Sequence, residues 1–149
     1  MTFRRTLIFG GILLPLGACS METTYKDVSL ENQYKEQIGA QYRVKDTLFA
    51  YGVRRNALAD VTYVVLQPPP GFAGSEVEFK RLIPVGTILT VQKVFMTNRW
   101  FDPPLSLQVK FVNLELELNV PIRIDLMLGN ELDGTNELNP KLYQKLPDR

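Results

Sequence analysis

The sequence predicts a mostly β protein: a small antiparallel barrel or sandwich with a short N-terminal helix and a short C-terminal helical turn. Three observations carry that prediction. Residues 105–111 and, after Val112-Asn113, 114–128 each alternate apolar and polar side chains with a period of two, the repeat that places apolar groups on one face of a strand. β-branched and aromatic runs recur at 61–67 and 88–96, the composition favoured in strands. Pro68-Pro69-Pro70-Gly71 and Pro84-Val85-Gly86-Thr87 punctuate those runs with residues suited to turns. The chain has 149 residues, 45% hydrophobic and 22% charged, which suits one globular domain.

Taken in chain order, residues 1–18 read as a leader, 19–28 as a tether and 29–149 as one β-rich domain. Arg4 and Arg5 give the leader a positive start, and the uncharged stretch 7–16 (LIFGGILLPL) follows. Ten helical residues reach only about 15 Å, roughly half the hydrocarbon thickness of a bilayer. Residues 20–28 (SMETTYKDV) are polar and lack a periodic apolar pattern, hence the tether.

Ser29 is placed to cap a helix over 30–38, where Leu30, Tyr34 and Ile38 recur every four residues and Gly39 follows. Residues 41–53 read as strand with an interruption at Lys45-Asp46. Further strands are expected at 60–67, 75–83 and 88–96. Residues 97–104 (TNRWFDPP) form a loop with the single tryptophan. Residues 105–111 and 114–128 are the clearest alternating strands. The second is long enough to need a bend near 119–121, where Pro121 lacks an amide donor. The stretch from Gly129 reads as loop, and Asn139-Pro140 starts a last helical turn carrying Leu142, Tyr143 and Leu146.

Leu16-Gly17-Ala18-Cys19 directly follows the short apolar core. This stretch resembles the lipobox of bacterial lipoproteins. The resemblance implies that the Cys19 thiol carries a diacylglycerol, that cleavage falls before Cys19 and that the new amine is acylated. Acyl chains anchor stably when two or more are present, each buried methylene contributing about 0.8 kcal/mol. Loss of residues 1–18 leaves 15 basic and 16 acidic residues. Ser20 after the cysteine resembles a signal for the outer membrane, on the periplasmic side. A second resemblance lies at 83–96, where Ile-Pro-x-Gly-Thr feeds a strand, similar to the turn-and-strand unit of bacterial Src-homology-3-like barrels.

A balance of 17 basic and 16 acidic residues excludes a strongly basic nucleic-acid binder. The absence of histidine removes the commonest general base and metal ligand. A single cysteine excludes a disulfide framework within the chain and a cysteine-rich zinc site. No catalytic residue, metal site or cofactor is expected. Glu76 with Glu78, and Glu115 with Glu117, lie two apart, and each pair reads as the solvated face of a strand rather than a glycosidase pair. Ser106 and Lys110 stand too far apart on one strand, about 13 Å, to act as a dyad. Residues 130–136 (NELDGTN) lack the twelve-residue spacing of a calcium loop.

Exposed anchors are the better candidates for binding. Pro70 and Phe72 end a stiff proline segment, and Arg99, Trp100 and Phe101 share a loop. Arginine and tryptophan are enriched at interface hot spots; the competing reading folds Trp100 and Phe101 over an open end of the barrel. Arg54-Arg55 and Lys80-Arg81 are basic pairs that suit anionic lipid or lipid-linked sugar phosphates. The expected protein is therefore a lipid-anchored envelope lipoprotein, a non-catalytic binding or scaffolding module. Its expected partners are the membrane, through Cys19, and another envelope protein or peptidoglycan. The alternatives are a periplasmic inhibitor or immunity lipoprotein and, in another class, a carboxylate-dependent hydrolase of cell-wall glycan.

Overall fold

The alternation at 105–111 sets the middle of the sheet. In β7 (Leu105–Phe111) the side chains of Leu107 and Val109 point into the core and are fully buried, while Lys110 is exposed. The computed structural model describes residues 23–71, 73–98, 105–126 and 138–147. Around β7 it assembles β1 (Tyr25–Asp27), β2 (Gln41–Val44), β3 (Leu48–Arg54), β4 (Val61–Gln67), β5 (Val77–Ile83), β6 (Ile88–Thr97), β8 (Ile122–Asp125) and β9 (Tyr143–Lys145). They form one continuous curled sheet, a half-barrel, in the order β5-β3-β4-β8-β7-β6-β2-β9, with β1 beside β6. The fold is mostly β and barrel-like, as the sequence predicts.

Long β6 serves two neighbours along one edge. Its first residues pair with β2, through Gln41↔Thr90 and Arg43↔Ile88, and its last pair with β1, through Tyr25↔Thr97 and Asp27↔Phe95. Between them the Val28 amide donates to the Val94 carbonyl at 2.9 Å, and the Gly39 amide to the Val91 carbonyl at 2.9 Å. An irregularity between Val91 and Lys93 breaks the register with β7. Such a bulge keeps Val91 and Val94 both in the core while adding twist. Among the described residues all pairings are antiparallel except β4 with β8, where Val64↔Ile122 and Val65↔Arg123 run parallel.

The turn before β6 follows its chemistry. Gly86 takes φ +91°, a conformation other residues rarely adopt. The Thr87 hydroxyl and amide both donate to the Pro84 carbonyl, at 2.7 and 3.1 Å.

Four expectations need correction. The helix over 30–38 is instead a chain of three-residue turns with one 3-10 turn at Lys35–Gln37. Amides of Glu31, Tyr34, Gln37 and Ile38 each donate to the carbonyl three residues back. The predicted stripe fails because only Tyr34 is buried, whereas Leu30 is 86% exposed. Ser29 caps nothing; its hydroxyl accepts the Val94 amide of β6 at 2.9 Å.

The strand over 114–128 shrinks to β8, with 112–121 a connecting segment. Its alternation is real, since Leu114, Leu116 and Val120 pack on the core, yet that segment has no ladder partner. The tether is shorter than expected, because Tyr25–Asp27 form β1 and Val28 is buried. At the C-terminal end the helical turn covers only 139–142. The Asn139 carbonyl accepts the Leu142 and Tyr143 amides, and Tyr143 then enters β9 opposite Val44 of β2.

Candidate functional site

The sheet has a second face, turned away from the main core, and polar groups collect there. Pairing registers put Phe95 of β6, Ser106 of β7 and Asp125 of β8 in one row, and Gln108 of β7, Arg123 of β8 and Val65 of β4 in the next. Ser106 is fully buried and Asp125 nearly so. Among the described residues, three side-chain atoms on this face, Thr97 Oγ1, Ser106 Oγ and Arg123 Nε, are buried without a hydrogen-bond partner. Such atoms are rare in folded proteins, and each calls for a cause.

Arg123 is the organising residue. Its guanidinium carbon lies 4.0 Å from the centre of the Tyr25 ring and 4.9 Å from that of Tyr63. Tyr25 arrives through the pairing of β1 with β6, and Tyr63 through Val53↔Tyr63 of β3 and β4. The Tyr25 ring also meets Phe95 edge-on, with centroids 6.2 Å apart. A cation over an aromatic face contributes about 0.5–2 kcal/mol, so Arg123 helps to hold β1 against the sheet.

A cleft of about 510 Å³ opens beside this stack, lined by Thr23, Tyr25, Arg54, Arg55, Tyr63, Glu76 and Arg123 among others. Register shifts beside Val53, against both β4 and β5, redirect the chain at Arg54. Arg54 forms an ion pair with Glu78, and its Nε donates to the Ser75 carbonyl at 3.2 Å. The cleft thus gathers three arginines and one glutamate.

The structure brings only some of the sequence-predicted residues together. Arg54 and Arg55 line the cleft, as does Glu76, while Glu78 is tied to Arg54. Glu115 and Glu117 lie exposed on the connecting segment rather than on a strand. Lys80 sits 4.0 Å above the Phe49 ring and 5.6 Å above that of Tyr51, while Arg81 is exposed. Ser106 and Lys110 occupy β7 four residues apart and do not meet. Pro70 is exposed, and its carbonyl accepts the Tyr51 hydroxyl at 3.4 Å. Cys19, Phe72, Arg99, Trp100, Phe101 and the 130–136 stretch lie outside the described residues.

Sequence reasoning missed Tyr25, Tyr63 and Arg123. Arg123 carried a signal, as the one basic residue in the final alternating run, but a solvated strand face gives the same pattern.

Among the described residues, no group of three or more histidine, cysteine or acidic side chains could hold a metal ion. Among them, too, no helix is long and apolar enough to cross a membrane. In comparisons with known proteins, no family model, no curated protein and no solved structure matches this chain.

Proposed function

We propose that this protein is a lipid-anchored lipoprotein of the bacterial cell envelope whose β domain binds or scaffolds a partner and performs no chemistry. The observation that carries the reading is the position of the lone cysteine. Cys19 ends a Leu-Gly-Ala-Cys sequence behind a ten-residue apolar core, and the sheet begins six residues later at Tyr25. Acyl chains at Cys19 leave enough polar chain to cross a headgroup layer of about 5–8 Å before the sheet begins. Six extended residues reach at most about 22 Å. With Ser20 next in sequence, the proposed location is the outer membrane, facing the periplasm.

The non-catalytic part of the proposal draws on side-chain chemistry. A hydrolase of glycan needs two carboxylates facing one cleft, one as acid and one as base or nucleophile. Glu78 is held by Arg54, and Glu115 and Glu117 stand on an exposed segment. Arginine and tyrosine, the side chains that dominate the described cleft, are recognition residues.

Replacement of Cys19 by alanine tests the anchor. The variant is expected to stay unprocessed, or to appear in the soluble periplasmic fraction, because no sulfur remains to acylate. Recovery of the alanine variant in the membrane fraction at its mature size would refute the anchor.

A further inference from the structure

We infer that the Arg123 cleft is a phosphate-binding site, and that the phosphate it takes is the headgroup of an anionic phospholipid in the membrane that carries the protein. The argument starts from Arg123 itself. Its guanidinium has neither a hydrogen bond nor an ion pair among the described residues, and its Nε is closed off from solvent. Two tyrosine rings, at 4.0 and 4.9 Å, occupy space where water would otherwise solvate the charge. A half-buried cation whose donors go unused is costly unless something supplies the acceptors. Stacking also fixes the plane of the guanidinium, so its edge donors point in set directions. That pre-ordered fork matches two oxygens of a phosphate.

The surroundings select the same chemistry. Arg54 and Arg55 line the same cleft against a single acidic side chain, Glu76. Glu78 already balances Arg54, so three arginines face two glutamates around the cleft and its balance stays basic. Thr23 and Thr62 add hydroxyls to the lining. A volume of about 510 Å³ accommodates a phosphodiester with its glycerol.

Position then identifies the source, and this step rests on the proposed acylation of Cys19. Thr23, on the wall of the cleft, is four residues from Cys19. Four extended residues span at most about 14 Å. A sulfur held in the bilayer therefore keeps the cleft close to the headgroups, where attraction between basic side chains and anionic lipid is strong. The acyl chains would fix the protein to the membrane, and the cleft would fix its orientation by gripping a neighbouring lipid.

The test uses the full mature chain, purified from membranes in a non-ionic detergent, with the acyl state of Cys19 read by mass on the same sample. Micelles doped with phosphatidylglycerol, micelles doped with a neutral diacylglycerol, and soluble glycerol 1-phosphate are titrated in turn, while the Arg123 Nε–H resonance is followed by NMR. Saturable shifts with phosphatidylglycerol, and weaker ones with glycerol 1-phosphate, are expected; diacylglycerol should give none. Arg123→Gln should weaken phosphatidylglycerol binding at least tenfold, read for this variant from the Tyr63 ring resonances. Because loss of Arg123 also loosens Tyr25, Arg55→Gln serves as a second variant that keeps Arg123 and both tyrosines, with several-fold weaker binding expected. Lys110→Gln, outside the lining of the cleft, should bind as the parent does. Absence of saturable binding to either phosphate probe would overturn the site, whatever the state of Cys19, as would undiminished binding by both arginine variants. Equal affinity for glycerol 1-phosphate and phosphatidylglycerol would overturn the lipid source. A bare Cys19 in a chain that still binds phosphatidylglycerol would refute the anchor and leave the phosphate site standing.

Discussion

Gly52 lies on β3 directly across from Phe79 of edge strand β5. A methyl group added at Gly52 would stand 2.7 Å from Phe79 Cζ and nearer still to Cε1 and Cδ1. Carbon atoms rest at about 3.5–4.0 Å, so Gly52→Ala obliges the ring to retreat by more than about 1 Å. Phe79 packs against the main core from its half-buried position, and a displaced ring gives up those contacts. Overpacking of this kind costs about 1–3 kcal/mol. For a domain of this size that corresponds to a fall in Tm of about 4–12 °C. Urea unfolding followed by far-UV circular dichroism measures the loss directly. The decisive arm is Phe79→Ala, in which the obstacle is gone. In that background Gly52→Ala should be neutral, or stabilising by about 0.5 kcal/mol, because alanine loses less backbone entropy than glycine in a strand. An equal cost of Gly52→Ala in both backgrounds would show that Phe79 does not cover Gly52, and the pairing of β3 with β5 would need revision.

Three further outcomes follow from Tyr143, Gly71 and Asp27. Tyr143 is buried with its hydroxyl unpartnered, and burial pushes its phenol far above the usual range; Tyr143→Phe should therefore hold or raise stability by about 1 kcal/mol in chemical denaturation, and a clear loss would contradict the orphaned hydroxyl. Gly71 takes φ +69°, and a methyl there would meet Tyr51, lying 2.9 Å from Cε2 and nearer to the hydroxyl; Gly71→Ala should cost about 1–3 kcal/mol, against little change for Gly74→Ala if thermal unfolding reads the two together. The Ser29 side chain and amide, with the Lys93 ammonium, hold the Asp27 carboxyl at about 2. Its folded value is depressed, so its contribution is complete above about pH 4 and disappears as pH falls toward 2. Hydrogen exchange at the Val28 and Ser29 amides should quicken across that window in the parent and stay flat in Asp27→Asn.

The strands were legible where side-chain period and turn chemistry agreed. The interruption at Lys45-Asp46 divides β2 from β3, and the prolines at 68–70 and 84 bound β4 and β6. Alternation misled at 114–121, because a segment lying over a core also half-buries alternate side chains, here Leu114, Leu116 and Val120, without any ladder among the described residues. Helical spacing misled at 30–38, because Leu30 and Ile38 find nothing to pack against there. The cleft was half legible. Arg54-Arg55 stood out as a basic pair, but Arg123 joins them only through the parallel pairing of β4 with β8, which brings together residues nearly sixty positions apart. Tyr25 was hidden for another reason: in a polar run its neighbours look like tether, and only the pairing of β1 with β6 makes it part of the sheet, where its ring meets Phe95 and Arg123.

The most direct measurement is the mass of the N-terminal peptide of the protein as isolated from bacterial membranes. The account predicts a peptide that starts at Cys19, with residues 1–18 gone and the added mass of a diacylglycerol on sulfur together with a fatty acid on the amine. A peptide retaining the leader, or one that starts at Cys19 with an unmodified thiol, would contradict it.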